Sequence, residues 1–71
     1  STEHLQLRLA LPPDCPAWRA KLHELQVISA EQFDDEGICW LDIRLSVAQW
    51  ARMVKQSDGE LENYIVTAPD I

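Results

Sequence analysis

The chain has 71 residues, 46% hydrophobic and 25% charged, and its 12 Asp and Glu exceed its 6 Lys and Arg to give a net charge of −6. This length suits one small domain with a thin core and disfavours a self-contained enzyme with a deep cleft. The acidic balance disfavours binding to naked duplex DNA or to an anionic membrane surface, and it leaves a basic partner or a local basic patch open.

Hydrophobic spacing predicts the first half of the fold in three elements. Four leucines alternate with other residues over residues 5–11, which is typical of a strand with one buried face. Pro16 then begins a helix to about residue 26, because Trp18, Leu22 and Leu25 recur at helical spacing. A second strand is predicted at residues 27–33.

The second half repeats this order. The acidic turn at 34–37 ends in Gly37 and precedes a strand at 38–45. Ser46 and Gln49 form a capping-box pattern for a helix that runs to about residue 56, and a last strand is predicted at 61–67. The order predicts an α+β, ferredoxin-like βαββαβ fold, with two helices on one face of a four-stranded antiparallel sheet. The expected strand order is fourth, first, third, second.

No motif in the chain points to catalysis, a metal or a nucleotide. The two cysteines and two histidines lack the paired spacing of a zinc site, and Cys39 has the inward parity of a small buried core residue. With only two glycines, the chain has no phosphate-binding loop of the nucleotide-binding kinds. The loop Pro12-Pro13-Asp14 disfavours acyl phosphate hydrolysis, because it is acidic and poor in free N–H groups. We therefore predict no catalytic, cofactor-binding or metal-binding residue.

Partner binding is predicted on two sets of exposed side chains. Strand parity places Arg8, Trp40 and Arg44 on the sheet face away from the helices, and it places Gln6 and Asp42 on the same face. If the second and third strands pair so that Phe33 lies opposite Ile38, Glu31 also lies on this face. Trp and Arg are typical of protein interfaces, although a Trp shielded by Arg explains the pattern equally well. A single exposed Trp disfavours RNA stacking. Arg52 and Lys55 lie three residues apart and therefore share one helix face. They are interpreted either as contacts to a phosphate or as ordinary solvated surface. The predicted partner-binding residues are Arg8, Trp40, Arg44, Arg52 and Lys55.

The residues also resemble a known family over about positions 4–66. The order and spacing of short strings match the C-terminal domain of HflX-type ribosome-associated GTPases. The matching strings are Leu7-Arg8-Leu9, Pro12-Pro13, Leu22-His23-Glu24-Leu25-Gln26, Asp35-Glu36-Gly37, Leu41-Asp42-Ile43-Arg44-Leu45, Trp50, Lys55-Gln56 and Asn63-Tyr64-Ile65-Val66.

The resemblance implies a non-catalytic accessory domain, 1–71, of a longer cytoplasmic protein whose GTPase domain, with its GTP and Mg²⁺, lies outside this chain. HflX-type proteins bind the large ribosomal subunit and split ribosomes. The implied partners are therefore ribosomal protein or rRNA and the parent's own GTPase domain, and the implied role is ribosome docking or regulation of that GTPase domain. The alternative is a regulatory small-molecule-binding domain. No apolar run spans a membrane and no signal peptide is visible.

Overall fold

The computed structural model describes residues 3–66, which form one sheet packed against helices. The sheet is antiparallel with the order β1-β3-β2. In chain order the elements are β1 (His4–Leu11), α1 (Pro16–Glu24), β2 (Ile28–Phe33), β3 (Cys39–Ser46), α2 (Val47–Gln56) and a 3₁₀ helix (Glu60–Tyr64).

The core lies between the sheet and the helices. Alternate residues of the central strand β3 point to this side, and each pairs with an alternate residue of β1, as Leu41 does with Leu9 and Cys39 with Leu11. Trp18 and Trp50 are half-buried and pack against this core. The buried core consists of Leu9, Leu11, Leu22, Val27, Cys39, Leu41, Ile43, Leu45, Met53 and Leu61.

Both helices have well-defined ends. The capping box predicted for α2 is confirmed: Ser46 Oγ accepts a hydrogen bond from the Gln49 N–H at 3.0 Å, and Gln49 Oε1 accepts one from the Ser46 N–H at 2.9 Å. Pro16 occupies the first turn of α1 as predicted. Helix α1 ends at Glu24, two residues earlier than predicted, because Gln26 adopts a left-handed backbone with φ of 59°.

The β2–β3 hairpin pairs in a register shifted by one residue from the one in which Phe33 lies opposite Ile38. Phe33 pairs with Cys39, so Gln32 lies opposite Trp40 and Glu31 points to the helix side of the sheet. The loop sets this register. Asp34 N–H donates to Ile38 O at 3.0 Å, and Gly37 takes a φ of 82° in the short loop between them. A shift of one residue reverses the face of every side chain in a strand.

The four-stranded, ferredoxin-like prediction is wrong. The sheet in the described residues has three strands, and the order is β-α-β-β-α followed by a 3₁₀ helix. In place of the predicted fourth strand, the chain turns through Glu60–Tyr64, and only Ile65 forms an isolated bridge, with Leu9. The predicted end of that strand, residue 67, lies outside the described residues.

The turn after α2 explains why no strand begins at Leu61. Ser57 Oγ donates to Val54 O at 2.9 Å and accepts from the Leu61 N–H at 3.1 Å, which holds the backbone against the end of the helix. Leu61 is thereby buried in the core rather than alternating along a strand. Glu and Asn in the sequence Glu60–Tyr64 also have low strand propensity.

Candidate functional site

The sheet face away from the helices is polar and carries one aromatic side chain. Strand parity places Gln6 and Arg8 of β1 there, next to Trp40, Asp42 and Arg44 of β3. The edge strand β2 contributes Ala30 and Gln32, which pair with Asp42 and Trp40. This open face is defined here as Gln6, Arg8, Ala10, Ala30, Gln32, Trp40, Asp42 and Arg44.

Arg8 and Asp42 form a bidentate ion pair across the middle of the open face. Arg8 Nε donates to Asp42 Oδ1 at 2.7 Å, and its terminal nitrogen donates to Oδ2 at 3.2 Å. These bonds hold the pKa of the Asp42 carboxyl below its ordinary value. Since Arg8 is already paired, Arg44 is the open-face cation that makes no ion pair within residues 3–66.

Trp40 is held in place by the hairpin loop. Its indole Nε1–H donates to Asp34 Oδ2 at 2.9 Å, while Asp34 Oδ1 accepts from the backbone N–H groups of Glu36 and Ile38 at 2.8 and 3.0 Å. The bond from Trp40 is the main cause of a lowered Asp34 pKa, and the backbone bonds add to it. Trp40 remains 37% exposed, so its ring is both fixed and accessible.

The helices form a basic layer on an acidic chain. Within α1 and α2, Arg19, Lys21, Arg52 and Lys55 are accompanied by a single carboxylate, that of Glu24, which gives these helices a net charge of +3. Lys21 and Arg52 line a depression of about 100 Å³ between the helices, together with Leu25, Gln49, Met53 and Gln56.

The five predicted partner-binding residues are all exposed, but they lie on two different surfaces. Arg8, Trp40 and Arg44 share the open face, whereas Arg52 and Lys55 lie on α2, on the core side of the sheet. Lys21, which is not among the five predicted residues, lines the same depression as Arg52. No spacing rule relates these two residues, because they come from different helices and are brought to one depression by the tertiary fold.

Glu31 is the centre of a polar cluster that the sequence did not reveal. Its carboxylate accepts two hydrogen bonds from Arg19, at 2.6 and 3.0 Å, and lies 2.9 Å from His23 Nε2. Cys39 Sγ lies 3.6 Å from the same carboxylate. Arg19 and then His23 lower the Glu31 pKa to about 2. The Arg19 guanidinium also lies 5.2 Å from the centre of the Phe33 ring. These contacts connect helix α1 to the β2–β3 hairpin. The cluster therefore has a structural role.

The depressions in the described part of the chain lie at its surface. In residues 3–66 no three His, Cys, Asp or Glu side chains are arranged to hold a metal ion. The depression in the middle of the open face has a volume of about 240 Å³ and is open to solvent. No helix among the described residues is long and apolar enough to cross a membrane.

Comparison with known proteins adds one relationship. Over 66 residues, 93% of the chain, the sequence is 32% identical to the GTPase HflX of Escherichia coli (strain K12). The chain is similar to a region of HflX. It spans 15% of the length of that relative. The similarity names the same family as the resemblance drawn from the short strings above. No family model matches the chain, and no solved structure matches it.

Proposed function

We propose that the chain is a non-catalytic accessory domain of a cytoplasmic, HflX-type GTPase that binds and splits ribosomes. Its role is to help dock the parent protein on the large ribosomal subunit or to regulate the GTPase domain, which would itself hold GTP and Mg²⁺. The observation that carries the proposal is the similarity to HflX over 93% of the chain. The exposed cations Arg52 and Lys55 on α2 support a binding role.

The charge distribution supports docking through the helix layer. Ribosomal RNA is a dense array of phosphates, and a protein with a net charge of −6 approaches it favourably only through a locally basic surface. Helices α1 and α2 provide such a surface, with Lys21, Arg52 and Lys55 making no ion pair within residues 3–66. The alternative, small-molecule regulation, gains no support from the shallow depressions of the described residues.

Co-sedimentation with purified large ribosomal subunits tests the docking role. We expect the 71-residue chain to pellet with subunits at about 50 mM monovalent salt and to be released at about 200 mM, because the contacts are electrostatic. The double variant Arg52→Gln/Lys55→Gln should bind roughly five- to ten-fold more weakly.

The matched control is Arg52→Lys/Lys55→Arg, which keeps both charges and should pellet like the parent sequence. Equal pelleting of the glutamine variant would exclude Arg52 and Lys55 as contacts. Failure of the chain to pellet even at low salt would contradict direct docking, and a thermal-shift response to small metabolites would then favour the alternative.

A further inference from the structure

The end of the β2–β3 hairpin carries two exposed aromatic side chains, Phe33 on the helix side of the sheet and Trp40 on the open face. Among the described residues the exposed large hydrophobic side chains are Phe33, at 54%, Trp40, at 37%, and Val47, at 43%. Phe33 and Trp40 flank the hairpin loop and line a surface depression of about 430 Å³ together with Gln32, Asp34 and Asp35. Two of the three exposed apolar side chains are thus concentrated at one end of the molecule.

The hairpin end is organised before any partner arrives. Asp34 uses one carboxylate oxygen to fix the loop backbone and the other to accept the hydrogen bond from Trp40 Nε1. A ring that is already fixed loses little side-chain entropy on binding, which is the property of an interface anchor. Trp40 also lines the neighbouring depression of about 240 Å³ with Gln32, Arg8 and Asp42. Trp40 therefore borders two depressions at this end of the molecule, and each has room for a partner side chain.

Charge determines the kind of partner that fits. The loop carries three consecutive acidic residues, Asp34, Asp35 and Glu36, and the first two line the same depression as Phe33 and Trp40. The nearby cations are already neutralised, since Arg8 is paired with Asp42 and Arg19 with Glu31. Aromatic faces next to carboxylates attract a guanidinium or ammonium group and repel phosphate. Arg19 above Phe33 shows this type of contact within the chain itself.

We propose that the hairpin end, defined as Phe33, Asp34, Asp35, Glu36 and Trp40, is a docking surface for an arginine-containing basic segment of a protein partner. One guanidinium stacks on Trp40 while the loop carboxylates bind its N–H groups. Trp40 is also one of the partner-binding residues predicted from the sequence, but the proposal requires neither the ribosome nor the relationship to HflX. It also concerns a different surface from the helix cations Arg52 and Lys55.

Titration of the ¹⁵N-labelled chain with a short peptide of alternating arginine and glycine tests the proposal at low salt. We expect saturable shifts of the Trp40 indole N–H signal and of the Asp35 amide signal. Trp40→Ala should weaken binding roughly ten-fold. Because Trp40 lies on the open face outside the core, this variant should keep the native spectrum elsewhere.

The charge control is a pair of variants that each remove one carboxylate. Asp35→Asn should weaken peptide binding several-fold, whereas Asp58→Asn, beyond α2, should leave it nearly unchanged. An equal effect of the two variants would show non-specific attraction to an acidic protein and overturn the proposal. Unmoved Trp40 signals would also overturn it. A third outcome would also overturn the proposal: oligouridylate shifts the Trp40 signal, and the Asp35→Asn variant binds it more tightly. That result would indicate that Trp40 stacks on RNA bases.

Discussion

At the scale of single residues, Glu31 shows how one carboxylate joins several parts of the fold. It connects helix α1, through Arg19 and His23, to the edge strand β2, and it lies beside the buried thiol of Cys39. Burial and the neighbouring carboxylate raise the pKa of that thiol. Because an inward-pointing charge on an edge strand also discourages pairing with other chains, Glu31 protects β2 as well as anchoring it.

The lowered pKa of Glu31 predicts a dependence of stability on pH. Since the folded value of about 2 is below the ordinary 4.5, the ionised carboxylate stabilises the fold above pH 4.5, and this contribution is lost as the pH falls towards 2. Urea unfolding of Glu31→Gln should therefore depend less steeply on pH over this range than unfolding of the parent chain. Some dependence should persist, because the Asp34 and Asp42 pKa values are also lowered.

The control for this prediction is Glu62→Gln, which removes an exposed carboxylate that makes no ion pair within residues 3–66. It should leave the pH profile of the unfolding free energy almost unchanged. Identical profiles for the parent chain and Glu31→Gln would contradict the assigned role of the cluster.

Exposure of single residues was partly predictable from sequence. Period-2 alternation placed Arg8, Trp40 and Arg44 on the open face, because β1 and β3 each present one buried side. The side taken by Glu31 was not predictable in this way, since it depends on whether the loop closes at Asp34–Ile38 or one residue away. The ion pairs Arg8–Asp42 and Arg19–Glu31 could likewise be predicted only if the pairing register of the strands were known, and the sequence alone leaves that register open.

At the scale of elements, both helices end in the same hydrogen-bonded motif. After α1, the N–H groups of Gln26 and Val27 donate to His23 O and Leu22 O, and Val27 packs in the same core as Leu22. After α2, Asp58 and Gly59 repeat the pattern with Lys55 O and Val54 O. These are Schellman motifs, in which the residue with a left-handed backbone is usually glycine. Here that residue is Gln26 or Asp58.

Replacement of Gln26 by glycine should therefore stabilise the chain. With φ of 59°, Gln26 occupies a backbone region that is unfavourable for a residue with a side chain. We expect Gln26→Gly to raise the free energy of unfolding by about 0.5–1 kcal/mol, after the entropy cost of glycine in the unfolded chain. Urea denaturation followed by circular dichroism measures the change.

A glycine inside the helix provides the matched comparison. Ala20→Gly, at an exposed position within α1, should lower the free energy of unfolding by about 1 kcal/mol. If the two glycine variants lose stability equally, the left-handed backbone at Gln26 is not a source of strain. The start of α2 was predictable because Ser46 and Gln49 form a recognisable pair, whereas Gln26 gives no sequence signal for a helix end.

At the scale of the whole molecule, the small core limits how much destabilisation by a substitution the fold can tolerate. The described residues bury ten apolar side chains, and the central strand β3 contributes four of them. A chain of this length is stable by only roughly 4–10 kcal/mol. The three β-strands were predicted to within one residue at each end, with clear alternation in β1 and β3 and only weak alternation in β2. The predicted fourth strand failed because Ser57 and Gly59 direct the chain into a helical turn that carries Leu61 into the core.

Loss of a central core side chain should consequently remove much of the stability. Leu41 is fully buried in β3, so Leu41→Ala should cost about 3 kcal/mol. Leu5→Ala, at a half-buried position of β1, should cost clearly less. Urea midpoints of the two variants measure the difference. Comparable losses would mean that the core extends further along β1 than burial indicates.

The order of the strands in the sheet also has a consequence for biosynthesis. The central strand, β3, is the last of the three in the chain, and β1 and β2 contact it rather than each other. The β2–β3 hairpin closes locally, whereas β1 must find β3 across an intervening helix and strand. During translation, the leucine-rich β1 therefore remains without a strand partner until Ser46 has left the ribosomal exit tunnel. We expect molecular chaperones to bind nascent chains that end before this residue more strongly than chains that extend beyond it.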